Sequence, residues 1–219
     1  MQALKKGMVI NMIRYIIYAL IGFLSGSILY SHLITKLLYS VDITQVSDDG
    51  NPGSSNVFKY VDMKCGIISL LLDILKGIIP IYIAVQNLDT MNPFFALVLA
   101  APVLGHALSP FLHFHGGKAI AVSFGCLLGL IPNSFIVFVL AILFILFSYI
   151  VSIKPDRLRS IIVFLLFAIY CFFIKAEITT IRYGCILIAT VVIYKHIRAY
   201  DHTKKEFHII LLDRWLHHN

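Results

Sequence analysis

The stretch Ser47-Asp48-Asp49-Gly50-Asn51-Pro52-Gly53-Ser54-Ser55-Asn56-Val57-Phe58-Lys59 is the longest polar run ahead of the C-terminal tail. Apolar segments flank it at residues 8–39 and 66–85, each reaching the roughly 20 residues that a helix needs to cross a bilayer. A polar insert between two such segments reads as a loop at a membrane surface. Asn51-Pro52 drives the backbone extended, and Gly53 opens conformations closed to other residues. Loops of this kind turn backbone N–H groups into a concave surface, which is how phosphate oxygens are held. The expectation is that the membrane part presents this loop, with one later partner, to an anionic substrate.

The rest of the chain agrees with a membrane setting. It has 219 residues, 59% hydrophobic and 13% charged, with a mean hydropathy of +0.89. A soluble domain of that size has no interior large enough for so much apolar surface. Seven apolar runs stand out, at residues 8–39, 66–85, 93–112, 119–131, 134–152, 160–174 and 183–194. The predicted fold is therefore an all-α integral membrane protein, a single transmembrane domain over residues 1–219 with seven helices. Its first loop is expected at about 40–64, its second at 113–118 and its tail at about 195–219. The net charge of +7 fits basic residues gathered in cytoplasmic loops beside anionic lipid rather than a nucleic-acid surface. With the C-terminus inside, the cytoplasmic face collects Lys36, Lys59, Lys118, Arg157, Arg159 and Lys195 among others. Lys5, Lys6, Arg14, Lys175 and Arg182 stay outside. The positive-inside rule thus sets the N-terminus out and the C-terminus in, although Lys5-Lys6 pulls the other way. Cys65, Cys126, Cys171 and Cys185 are scattered and read as packing residues.

A second cluster ends in Gly116-Gly117-Lys118 ahead of an apolar helix. It offers an anion free N–H groups, a positive helix end and a cation; a tight turn with a snorkelling lysine explains the same letters. His106 falls at the end of the third span, where an ionisable group is expensive and often functional, or satisfies a packing hydrogen bond. Asp73 and Lys76, three apart, share one helical face, as a structural ion pair or facing a substrate. His113-x-His115 lacks a third metal ligand, and His217-His218 reads as a frayed tail. His196 and Asp201 match an acyltransferase H-x-x-x-x-D spacing by letter alone. Gly26-Ser27 and His32 give the first span a small, polar face.

Taken together, these segments resemble the bacterial acyl-phosphate:glycerol-3-phosphate acyltransferases of the membrane-embedded, seven-span type. Gly26-Ser27-Ile28 is similar to the family's G-S-I-P, and Val41-Asp42-Ile43 to its V-D-I. Residues 50–59 resemble G-N-P-G-A-T-N-V-x-R, and Asp73, Leu75-Lys76-Gly77 and Pro80 resemble D-x-L-K-G-x-x-P. Leu104-Gly105-His106, Phe111 and Phe114 with Gly116-Gly117-Lys118 resemble L-G-H-x-x-P-x-F-x-x-F-K-G-G-K-G, and His196 is similar to the histidine after the last span. The resemblance runs over about residues 22–200. The chain departs from it at Leu29, Thr44, Lys59 and Ala119, and at Asp48-Asp49, where one residue is inserted.

The resemblance implies an enzyme of the bacterial inner membrane, with its active face cytoplasmic. It would move a fatty acyl group from acyl phosphate to the 1-hydroxyl of glycerol 3-phosphate, making lysophosphatidic acid, with no cofactor and no metal. Gly50, Asn51, Gly53, Ser54, Lys59, Lys76, Gly116, Gly117 and Lys118 are then the substrate-binding candidates. His106, Asn56, Ser55 and His196 are the candidates for orienting the hydroxyl and polarising the carbonyl. Lys59 in place of arginine keeps the charge but loses the two-pronged donor that suits phosphate. Other readings of the same residues are a paralogue acting on a different head group, a non-catalytic transporter or lipid-binding membrane protein, and, more remotely, a zinc hydrolase using His106, His113 and His115.

Overall fold

The computed structural model describes residues 2–151, 153–175, 177–198 and 206–207. Asp201 and His217-His218 lie outside the described residues, as does most of the expected tail. The chain is mostly helical. The first apolar run is α1 (Gln2–Ser27) followed, after a break at Ile28 and Leu29, by α2 (Tyr30–Tyr39). Two short helices lie within the expected loop, α3 (Ile43–Val46) and α4 (Ser54–Tyr60). Then follow α5 (Met63–Asn87), α6 (Phe95–Ala107) with a 3-10 turn at Pro110–Leu112, and α7 (Ile120–Leu128). The last are α8 (Val137–Ile145), continued by a π turn to Ile150, α9 (Asp156–Phe173) and α10 (Thr179–Arg198). Strands β1 (Ile153–Lys154) and β2 (Glu206–Phe207) pair antiparallel.

Among the described residues, four stretches are long and apolar enough to cross a membrane: Asn11–Tyr39, Met63–Asn87, Phe95–Leu112 and Thr179–Arg198. Here α7, at 9 residues, is only about 14 Å long at 1.5 Å per residue. The charges at Asp156, Arg157 and Arg159 open α9 with a polar first turn.

Glycine decides which helices touch. A Cβ on Gly26 would lie 1.9 Å from the Pro102 carbonyl oxygen, and one on Gly105 would lie 2.0 Å from that of Phe23. Backbones of α1 and α6 therefore meet directly, the arrangement small residues permit in lipid. Likewise α5 and α7 meet at Gly77 and Gly125, whose Cβ atoms would clash with Val122 O at 2.6 Å and Ile74 O at 2.1 Å. Buried Leu99, Val103, Phe164, Phe167, Ile181 and Ile188 make the core around α6, α9 and α10. Large apolar side chains such as Leu20, Leu24, Ile79, Leu97 and Ile142 are exposed, as a bilayer-facing surface requires.

The helix breaks are satisfied by long-range donors. The chain leaves α1 without the family's proline, since Leu29 stands there with φ −93° and ψ 83°. The carbonyls this frees are caught: Ser109 Oγ donates to Ser27 O at 2.6 Å, and Lys76 Nζ donates to Ile28 O at 2.5 Å. Inside α5, Pro80 cannot donate to Lys76 O, and Ser25 Oγ takes its place at 2.9 Å. Three polar side chains thus lock α1, α5 and α6 together where the polar loop will sit.

Candidate functional site

The polar loop is a folded unit. Asp42 caps α3 by accepting from the Thr44 N–H at 3.1 Å, and Asp62 caps α5 by accepting from the Cys65 N–H at 3.0 Å. Ile43, Val57 and Cys65 bury a small core beneath it. Gly50 turns the chain with φ +60°, a conformation costly for most other residues. Gly53 stands at the N-cap of α4, and Asn56 follows in the first turn of that helix. Ser54 is buried and Ser55 exposed.

Lys118 reaches this loop from 69 positions away. Its Nζ lies 2.6 Å from Asp49 Oδ2. The other carboxylate oxygen, Oδ1, accepts from Asn56 Nδ2 at 2.7 Å and from the Asn51 N–H at 3.2 Å. Asn56 Nδ2 also donates to Asn51 O at 2.9 Å. Burial pushes the Asp49 carboxyl up, but hydrogen bonds from Lys118 and Asn56 and the Lys118 charge outweigh it and hold it down at about 2. Beside it, Lys59 Nζ pairs with Asp48 Oδ2 at 2.9 Å and lies over the Tyr60 ring. Hydrogen bonds from Tyr60 and Lys59 keep the Asp48 carboxyl below its usual range; the same contacts raise Lys59. Both lysines of the expected phosphate site thus rest on the two acidic residues at which the chain departs from its apparent relatives.

Beneath Lys118, Gly116 and Gly117 are buried against the end of α6. The Gly117 N–H donates to His106 O at 3.0 Å, so it is not the free N–H expected from the sequence, because the turn packs directly on the end of α6. A Cβ on Gly116 would lie 1.9 Å from that oxygen, and one on Gly117 would lie 2.3 Å from His106 Nε2. His106, 3% exposed, turns Nδ1 to Lys76 Nζ at 2.8 Å. Lys76 Nζ also lies 2.8 Å from Asp73 Oδ1, and Ser31 Oγ donates to Asp73 Oδ2 at 3.4 Å. Lys76 Nζ therefore has Ile28 O and His106 Nδ1 as hydrogen-bond partners and the Asp73 carboxylate as its ion-pair partner. A lysine ammonium has no acceptor, so His106 accepts at Nδ1 and carries its proton on Nε2, against Gly117. Through His106, Lys76 supports the Gly-Gly turn from beneath.

His196, 1% exposed, donates from Nδ1 to Val192 O at 2.8 Å, which leaves Nε2 as the acceptor of the neutral ring. It is within electrostatic range of Lys118, Arg157 and Asp49. Next to it, Lys195 Nζ donates to Ala107 O at 3.0 Å and ties α10 to the end of α6. Among the sequence candidates, the structure gathers Lys118, Gly116, Gly117, His106, Asn56, Asn51 and His196, and it leaves Lys59 and Ser55 at the exposed rim. His113 and His115 are exposed on the turn before Gly116. Among the described residues no group of three His, Cys, Asp or Glu side chains converges as a metal ion would need.

One feature had no signal in the sequence. A cavity of about 320 Å³ opens at the α1–α2 break, lined by Ile28, Leu29, His32, Leu33, Phe111 and Leu112. Its walls are apolar except for His32, whose Nδ1 lies 3.4 Å from Asp42 Oδ1. It therefore adjoins the residue that caps the start of the polar loop.

The model of the family described as glycerol-3-phosphate acyltransferase matches residues 16–205. The Glycerol-3-phosphate acyltransferase 1 of Thermotoga maritima is 46% identical over 107 residues, 48% of this chain and 52% of its own. The Glycerol-3-phosphate acyltransferase of Clostridium acetobutylicum is 36% identical over 154 residues, 65% of this chain and 75% of its own. Several relatives are matched over little more than half their length, so the chain spans about half the length of those curated proteins. Among solved structures, PlsY (YgiH), an integral membrane glycerol 3-phosphate acyltransferase in its glycerol 3-phosphate form, superposes with a TM-score of 0.72. It is 25% identical, over 94% of this chain and 93% of that one. The same protein in its lysophosphatidic acid form superposes with a TM-score of 0.70 over the same shares.

Proposed function

The chain belongs to the glycerol-3-phosphate acyltransferase family, and we propose that it moves a fatty acyl group from acyl phosphate to the 1-hydroxyl of glycerol 3-phosphate, yielding lysophosphatidic acid. The observation that carries the reading is the convergence of Lys118, Asn56 and the Asn51 N–H on one anionic group, above the buried Gly116-Gly117 turn. A cation, an amide and a backbone N–H directed at two oxygens are the donor set that a phosphate takes.

Acyl phosphate is an activated anhydride, so the reaction needs positioning and charge stabilisation rather than a covalent enzyme nucleophile. The acceptor hydroxyl oxygen forms the new bond to the carbonyl carbon, the bond from that carbon to the donor phosphate breaks, and inorganic phosphate leaves. The resemblance implies that a substrate phosphate takes the hydroxyl proton. Lys118, Asn51, Gly50, Gly53 and Ser54 hold one phosphate above the Gly116-Gly117 turn, which sets the place of Lys118 while its Gly117 N–H is given to His106 O, and Lys59 at the rim meets the other. Asn56, Ser55 and the Nε2 of His196 orient the hydroxyl and polarise the carbonyl. His106 and Lys76 fix the turn from beneath. The apolar cavity at the α1–α2 break is where the acyl chain enters from lipid.

In this reading seven segments are embedded: α1–α2, α5, α6 with its turn, α7, α8 with its π turn, α9 and α10. The N-terminus lies outside, and the polar loop and Lys118 face the cytoplasm of a bacterial inner membrane. Asp48, Asp49 and Thr44 favour a second reading, a paralogue that takes a different phosphorylated polyol. Offering acyl phosphate with a panel of polyol phosphates and weighing the lipid product by mass spectrometry decides between them. A lysophosphatidic acid mass with glycerol 3-phosphate supports the first, and product only with another acceptor supports the second.

A further inference from the structure

The acidic edge of the polar loop has a role that neither the fold nor the family resemblance supplies. Asp49 places one carboxylate oxygen 2.6 Å from Lys118 Nζ. The other oxygen receives the Asn56 amide at 2.7 Å and the Asn51 N–H at 3.2 Å. These are the donors of the proposed phosphate site, and a carboxylate and a phosphate both present pairs of oxygens to them. Both cannot hold the cradle together, because two anions that share one lysine at hydrogen-bond range repel each other.

We propose that Asp49 is an internal competitor for the phosphate site. Its carboxylate holds Lys118, Asn56 and Asn51 while the site is empty and swings away when a phosphate-bearing ligand enters. Asp49 is thus the residue that sets this chain's affinity for anions. The inference rests on the reading of the Lys118 turn as a phosphate site. Its position suits the movement. The side chain is 17% exposed, so it has a path to water. Gly50, next in the chain, turns at φ +60°, and a Cβ added there would meet Thr44 O at an ordinary contact distance of 3.5 Å. Asp48 acts on Lys59 in the same sense but at the surface, where its side chain is 78% exposed and solvent weakens the pair. The docked Asp49 carboxyl is held at about 2, a preference of roughly fiftyfold for the charged, bound form over a free carboxylate. Solvent competition at a partly exposed group reduces this to an effect of about tenfold on a competing ligand.

The test is calorimetric titration of the full chain in detergent micelles, with glycerol 3-phosphate and separately with inorganic phosphate. Wild type, Asp49→Asn, Asp49→Ser and Asp48→Asn are compared, with thermal unfolding of each as a check of folding. The proposal expects both Asp49 variants to bind both anions about tenfold tighter, with Asp48→Asn changing affinity by less than about threefold. Unchanged or weaker binding in the folded Asp49 variants overturns it, and so does an absence of anion binding in every protein. Acyl transfer is measured separately on the same samples. Tighter binding without turnover in wild type would refute the acyltransferase reading and keep the competitor. Turnover with unchanged binding would do the reverse.

Discussion

Replacing Lys76 by methionine isolates the most committed charge in the molecule. Its side chain is 1% exposed and that of Asp73 2%, with the charged atoms 2.8 Å apart. At an effective dielectric of about 20 their attraction is roughly 6 kcal/mol, much of it offset by desolvation of both groups. Lys76→Met leaves the Asp73 carboxylate buried with only Ser31 Oγ near it, at 3.4 Å. It also strips a donor from Ile28 O and from His106 Nδ1. The expected loss is about 3–5 kcal/mol. Asp73→Asn removes the charge that Lys76 balances, and the double variant Asp73→Asn/Lys76→Met removes both ions at once. It is expected to recover at least about 2 kcal/mol relative to the sum of the single changes. Reversible unfolding in mixed micelles, arranged as a double-mutant cycle, reads the coupling. Effects that add within about 0.5 kcal/mol would refute the account of Lys76 as one buried network with Asp73.

Other expectations follow from close contacts and charge. Gly26→Ala, whose Cβ would sit 1.9 Å from a backbone oxygen of α6, should prevent the α1–α6 contact and abolish folded protein in a detergent expression assay. Gly22→Ala, which meets side-chain atoms of Pro102 at 3.2 Å and of Ala101 at 3.5 Å, should cost about 1 kcal/mol or less. Gly117→Ala should push the His106 ring off Lys76 and lower acyl-transfer turnover at least tenfold while the protein still folds, because the added carbon meets the side-chain nitrogen Nε2 at 2.3 Å. The Asp49 carboxyl is held below its unfolded value, so its contribution is present above about pH 4 and is lost as pH falls to about 2. Allowing for solvent screening, that contribution is about 1–2 kcal/mol, and acid unfolding curves of Asp49→Asn should be flatter over that window.

Local letters carried much of this architecture. The apolar runs marked the helical segments, and the three-residue spacing of Asp73 and Lys76 put them on one face, where the structure pairs them. Gly116-Gly117-Lys118 marked a close turn, and it is buried against His106. What was not legible depends on partners far apart in sequence. The break at Leu29 lacks its proline and is held by Ser109 and Lys76, which no window around Leu29 contains. The α3 and α4 helices are too short for periodicity to show, although Asp42 and Gly53 stand at their caps. The partner of Asp49 was not legible beside it, because Lys118, the cation that balances it, lies 69 residues on. The cavity beside His32 is made by the same helix break and by Phe111 and Leu112, so it exists only once α1, α2 and the α6 turn are assembled.

The most direct measurement is acyl transfer by the purified protein, supplied with acyl phosphate and glycerol 3-phosphate, in wild type and in Lys118→Ala. The account predicts glycerol 3-phosphate-dependent formation of lysophosphatidic acid with matching release of inorganic phosphate, reduced at least a hundredfold in Lys118→Ala, about 2.7 kcal/mol of lost stabilisation. Equal turnover in the two proteins, or none in wild type, would contradict it.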